Sequence, residues 1–404
     1  LHAWQADWRS QGCKYNNGKR CCQFSSLRLK IFFLILASTA PVAVLVMLEI
    51  ITSWMQNDLA NIVRHSTVFV PYIACVAKML IMYKNRVEAA AIIRAINDDL
   101  ASFNDLEEDD RTMVEDHIKS SQFFERIWAV LMVNTIYIFP FIASLINIYN
   151  TLSGKPKREM IHEVTLPFLE DPEMSFESPY FEILFICMLY YCAIFYVNFL
   201  GYDGFFVISI NHACLKMVLY CRALEKAMRS RSGDVIYRAM VDVIRAQNNL
   251  FKYVELIQQN FNFWLGIIFF LTTVAFTAFQ GLGFDLRYIV FTCGSVIHIF
   301  VPCWFAGKLK LASLETATQL YCSGWEHTAT KEALRSRRLL LFMIARAQVP
   351  ISITAYNMLT IDVELFVSYF FFLLCRDKIR IFVCNEEIQK LVDRFKKFFL
   401  ILEC

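Results

Sequence analysis

Apolar stretches, each about one membrane thickness long, recur along most of the 404-residue chain, with polar and charged segments between them. A hydrocarbon core about 30 Å thick needs roughly 20 apolar residues in helical conformation, because each residue advances a helix by about 1.5 Å. Residues 31–51, 66–83, 127–149, 181–219, 261–279 and 288–305 meet that demand. The second carries Lys78 inside it, and the fourth is long enough to leave the bilayer as a continuous helix. A weaker stretch, 351–375, adds a seventh. The pattern predicts an all-α polytopic membrane protein with seven transmembrane helices.

Composition agrees. The chain is 57% hydrophobic and 15% aromatic, with 37 Phe and only 12 Gly, which suits an outer surface facing lipid. A net charge of +3 suggests neither nucleic acid nor an acidic substrate. Its distribution is more informative. The stretches before the first span and between spans two and three, four and five, and six and seven hold about 26 Lys and Arg, against about five on the other side up to Phe366. The positive-inside rule then puts the amino terminus in the cytoplasm and the carboxyl terminus outside, inverted relative to G-protein-coupled receptors. The basic tail after Leu374 runs against this assignment. Most of the 14 Cys lie in spans or on the basic side, so a disulfide framework is not expected.

The polar segments also carry pattern. Residues 86–100 alternate apolar and charged positions as an amphipathic helix continuing span two, and the acidic run 105–110 then reads as a solvated loop rather than a calcium loop, for want of alternating ligands and a central Gly. Residues 237–261 and 311–341 read as long helices projecting from the basic side.

Enzyme chemistry lacks its parts: no Gly-x-Ser-x-Gly elbow, phosphate-cradling loop or His-Glu-x-x-His occurs, and no metal or cofactor is implied. Asp203 and His212 share one apolar stretch but stand about 13 Å apart along a helix axis, too far for a dyad, so structural hydrogen bonding is the expected role of each. A ligand pocket is the better hypothesis. Tyr72, Tyr137, Phe141, Met188, Phe195 and Phe276 in the outer halves of spans two to six would form an aromatic and thioether lining suited to a small lipophilic molecule. For each residue singly, lipid contact or helix packing is the plainer alternative.

Further along the chain stand Pro302-Cys303-Trp304-Phe305, then Tyr321 and Trp325, Ala347-Gln348-Val349-Pro350, Ile353-Thr354-Ala355 and Glu364-Leu365-Phe366. Upstream are Lys78, Asn85-Arg86, Leu166-Pro167-Phe168, Ser178-Pro179-Tyr180-Phe181, and Asp203 with His212. In this order and spacing the chain resembles the insect odorant receptors over roughly residues 31–366. The resemblance implies an odour-gated, non-selective cation channel in the plasma membrane of an olfactory neuron dendrite, assembled as a heterotetramer with a shared co-receptor. A small volatile odorant would bind in the outer half, and cytoplasmic helices would anchor the subunits. Without the co-receptor's longer second cytoplasmic loop, the chain resembles a tuning subunit. Gustatory receptors are the nearest relatives of that family, but their terminal Thr-Tyr-hydrophobic-Gln-Phe pattern is missing. A G-protein-coupled chemoreceptor is disfavoured by the orientation, and a transporter by the lack of internal repeats.

The expected division is a cytoplasmic segment 1–30, six spans with the odorant pocket in 31–306, anchor helices in 307–350, a pore-lining helix 351–375 and an atypical tail 376–404. Tyr369, Phe372 and Cys375 fall where pore-facing residues would lie, and a Phe ring could form a hydrophobic gate. The first 24 residues match nothing in the family. From Val367 two readings stay open: a native end to the last helix, or translated intron, since Val367-Ser368 can be encoded by a splice-donor sequence. An uninterrupted transcript ending at Cys404 excludes the second.

Overall fold

The apolar runs fold into helices that extend well past a bilayer's width. The computed structural model describes residues 18–154, 157–169, 171–229, 232–279, 286–325 and 331–375. In order they form α1 (Gly18–Met55), α2 (Leu59–Lys84), α3 (Arg86–Ala101), α4 (Glu108–Leu152), α5 (Tyr180–Met228), α6 (Gly233–Phe279), α7 (Leu286–Tyr321), α8 (Lys331–Ala347), β1 (Thr354–Ala355), β2 (Leu359–Thr360) and α9 (Val363–Cys375). Among the described residues, five helical segments can cross a membrane by length and composition: Phe32–Met55, Leu59–Lys84, Glu108–Leu152, Tyr180–Met228 and Ile289–Tyr321. Large apolar side chains such as Ile148, Ile186 and Val197 lie exposed on their outer faces, as a lipid-facing surface requires.

The breaks between helices have local causes. Asn57, at φ 55°, turns the chain after α1, and the Asp58 side chain accepts the Asn61 amide at 3.2 Å to cap α2. Asn85 separates α2 from α3 while donating its side-chain amide to the Gln259 and Asn260 carbonyls, each at 3.2 Å, which ties the break to α6. The acidic run is paired rather than merely solvated. Glu108, Asp109 and Asp110 occupy the first turn of α4, where the helix dipole favours them. Asp110 also bonds Lys226 at 2.7 Å and Arg222 at 3.1 Å, fastening α4 to α5.

α5 is the central helix. Tyr202, Phe206, Ile210, Met217 and Leu224 are buried there against Leu250, Ile257 and Phe261 of α6 and Ile299, Cys303 and Leu309 of α7. A second cluster joins Val46, Cys75, Ala143, Met188, Tyr191 and Phe195 to Ile161 and Val164 of the loop between α4 and α5.

Two expected helices differ. The stretch 311–341 is interrupted: α7 stops at Tyr321 and Gly324 takes φ +82°, open to glycine and strained for other residues, before α8 begins at Lys331. The helix expected over 351–375 starts only at Val363. Its first part is instead a hairpin, with Thr354 opposite Thr360 and Ala355 opposite Leu359, turned by Tyr356 and Asn357 at φ 51° and 55°. Gln258 of α6 supplies the hydrogen bonds a helix would have made, donating to the Thr354 carbonyl at 2.8 Å and accepting its amide at 2.9 Å. Gly266 leaves room for the Tyr356 ring, since a Cβ there would stand 1.9 Å from it. Asp362 then caps α9, accepting the Leu365 amide and a Lys310 hydrogen bond, both at 2.9 Å.

Candidate ligand-binding cavity

Beneath the loop between α4 and α5 lies a cavity of about 140 Å³, lined from α2, α4, α5, α6 and α7. Its wall is mainly aliphatic and aromatic, including Met132, Ile136, Met188, Phe195, Trp264 and Phe291. The α5 contributors Met188, Tyr191, Cys192, Phe195 and Phe199 recur at three- and four-residue intervals, one stripe of a helix. Gly294 of α7 brings that helix against Thr135 of α4, where a Cβ would stand 2.3 Å from the threonine methyl.

The loop roofs the cavity and is fastened at several points. The His65 and His162 rings share a hydrogen bond of 2.9 Å, and both are buried. Arg64 pairs with Glu163 at 2.7 Å, and Glu49 of α1 accepts hydrogen bonds from both the amide and hydroxyl of Thr165. Asn147 of α4 clasps the backbone of Glu159 by two bonds of 2.7 Å. Burial, the neighbouring His65 and the Arg64 charge together push the His162 pKa down to about 3, so the docked roof holds a neutral imidazole.

One charged cluster adjoins the apolar wall. Lys78, 0% exposed, donates to Asp203 Oδ2 at 2.7 Å, and His298 Nε2 lies 2.9 Å from the same oxygen. The ammonium also lies 3.7 Å from the Phe199 ring centroid and 4.6 Å from that of Trp264. Charges at such depth persist only when paired. Of the two residues singled out as structural, Asp203 therefore takes Lys78 and His298 as partners, while His212 pairs with Asp99 at 2.8 Å.

Among the expected pocket residues, Met188 and Phe195 line the cavity. Tyr72 stacks on the lining Tyr191 with centroids 5.8 Å apart. Tyr137 packs on Tyr196 instead, and Phe141 is 60% exposed on the outer side of α4. These two do not line the cavity, whose α4 face is Met132, Thr135, Ile136 and Phe139. The Phe276 side chain lies outside the described residues, as do those of Phe372 and Cys375. Tyr369 is half-buried, its hydroxyl 2.6 Å from Thr273 Oγ1 and donating to the Phe269 carbonyl at 2.8 Å. Trp304 is half-buried, Tyr321 exposed and bonded through its carbonyl to the Trp325 indole at 2.9 Å, and Gln348 and Pro350 are exposed. Thr354 and Ala355 form β1, and Phe366 is buried against Phe300. The apolar pattern concealed Trp264 and His298, although a His within an apolar span is itself a signal for a buried partner.

A model of the 7tm Odorant receptor family matches residues 58–372, most of the chain, running past Val367. The chain belongs to the odorant receptor family. Odorant receptor 24a of Drosophila melanogaster is 23% identical over 215 residues, 49% of this chain and 52% of that one, so the chain spans about half the length of this relative. Two solved structures share the fold: the insect olfactory receptor OR5 from Machilis hrabei, and the same receptor in complex with eugenol. The first superimposes with a TM-score of 0.63 at 14% identity over 87% of this chain and 88% of that one. The second gives 0.61 at 14% over 90% and 92%. The chain is thus a multi-pass membrane protein of that family.

Proposed function

We propose that this odorant receptor binds a small volatile odorant in the roofed cavity and, with a co-receptor subunit, opens a non-selective cation pathway across the plasma membrane of an olfactory neuron. It acts as a tuning subunit with seven spans, a cytoplasmic amino terminus and an outward-facing cavity. The observation that carries the reading is the largely apolar cavity at the junction of five helices in a chain of this family. The Machilis receptor of the same fold has been solved with eugenol, a molecule of the expected class. A route from ligand to pore also suggests itself. α6 places Trp264, Ile268 and Thr272 on the cavity, and the adjacent Thr273 meets Tyr369 of α9. We assign the pore-lining role to α9, whose Tyr369 faces α6, and place α8 with the turn at Tyr321 and Trp325 in the anchor between subunits.

Whole-cell recording with G-protein signalling blocked tests this. Cells expressing the chain together with the insect olfactory co-receptor are expected to pass a cation current in response to a volatile odorant panel, and cells expressing either chain alone are not. A response that requires G-protein signalling, or one from this chain without a co-receptor, contradicts the proposal.

A further inference from the structure

Three hydroxyls on the cavity wall, those of Thr67, Thr135 and Ser295, offer a ligand only acceptors. Thr67 Oγ1 donates to the Arg64 carbonyl at 2.8 Å, Thr135 Oγ1 to the Leu131 carbonyl at 2.9 Å and Ser295 Oγ to the Phe291 carbonyl at 2.9 Å. Each hydroxyl has committed its proton to its own helix and keeps only lone pairs for a ligand. The Tyr191 hydroxyl has no partner but is enclosed away from open space, and Thr272 Oγ1 and the Trp264 indole N–H are the wall donors that no described residue engages.

His298 adds a more specific acceptor. It lines the cavity, is 8% exposed, and has its ring stacked on Trp128 with centroids 5.9 Å apart. Its Nε2 lies 2.9 Å from the Asp203 carboxylate and 3.5 Å from the Lys78 ammonium, and the nearer, charged acceptor assigns the proton to Nε2. Lys78 already balances the charge of Asp203, and a second cation among these aromatic walls would have no counter-charge, so the imidazole is neutral and Nδ1 holds a lone pair. No described residue donates to Nδ1, nor is it among the enclosed unpaired atoms.

We infer that the cavity selects ligands with a hydrogen-bond donor at one end of a short apolar body, an alcohol or phenol, with His298 Nδ1 as the acceptor. The inference rests on the reading of this cavity as the odorant site. The Lys78 to Asp203 to His298 relay fixes the tautomer, so the acceptor is built into the fold. Ethers and ketones of the same size would leave the lone pair unmet, and a matched donor is expected to bind about tenfold tighter.

The test uses the purified full chain in lipid nanodiscs and two isomers, 1-hexanol and 1-methoxypentane, followed by tryptophan fluorescence, to which Trp264 on the wall contributes. The alcohol is expected to bind about tenfold tighter than the ether. His298→Leu removes both ring nitrogens and leaves Asp203 paired with Lys78, and should bring the isomers within about twofold, with ether binding by the variant showing that the cavity is still formed. Membrane partitioning is common to both proteins and cancels in that comparison. Equal binding of the isomers to the wild type, or a preference that survives His298→Leu, overturns the acceptor role and leaves the cavity reading intact. Binding of neither isomer overturns both.

Discussion

Asp203→Ala is expected to destabilise the receptor by about 3–5 kcal/mol, because it leaves Lys78 charged, fully buried and without a counter-ion. Phe199 and Trp264 lie against the ammonium but cannot replace a carboxylate, since a cation–π contact contributes only about 0.5–2 kcal/mol. Removing both charges should behave differently. In the Lys78→Met/Asp203→Leu double variant no unpaired charge remains, and most of the stability is expected to return, because apolar replacement of a buried pair is often neutral. Thermal denaturation of the single and double variants in the same detergent measures this. A double variant as unstable as Asp203→Ala would mean that the pair stabilises the fold beyond mutual neutralisation. His298 should report the same change, losing the partner of Nε2 in either variant.

Acidification is the second large effect. His162 is held neutral in the docked roof with a pKa of about 3, well below the ordinary value of about 6.5. An undocked loop therefore takes up a proton that the docked one refuses. Docking stability from this group is complete above about pH 6.5 and is lost progressively as the pH falls from there toward 3. Between pH 7.5 and 5.5 the docking equilibrium should weaken about tenfold. The surroundings set the sign: His65 and Arg64 face the ring, and Glu163 is already engaged by Arg64. Hydrogen–deuterium exchange of residues 160–166, corrected for the intrinsic pH dependence, checks this. His162→Gln should flatten most of the difference, and an undiminished pH response in that variant would assign the effect elsewhere.

The sequence showed the membrane helices more clearly than it showed which of their faces meet. Long apolar runs read directly as spans, but a helix that is apolar all round has no periodicity to mark its inner side. That is why Tyr137 and Phe141, four residues apart on one face of α4, lie off the cavity, while Met188 and Phe195 of α5 fall on it. Asp203 was visible as an acid at membrane depth. Its partners were not, because Lys78 and His298 reach it from 125 and 95 residues away in the chain. The hairpin before α9 follows a similar logic. Residues 351–354 are apolar enough to pass for the start of a span, yet the Thr354 backbone is satisfied by the Gln258 side chain from α6 and the Ile351 amide by the Ser313 hydroxyl from α7. The family-like order of Pro302, Trp304, Gln348, Pro350 and Thr354 was legible throughout, since it depends on spacing and not on packing.

Structure determination of the receptor in lipid with an activating odorant bound tests the central claim most directly. Ligand density beneath the roof, within about 4 Å of Trp264, Met188 and Phe195, is the predicted result. Density at a subunit interface or on the lipid-facing surface near Phe141, with this cavity filled only by its own side chains, would contradict it.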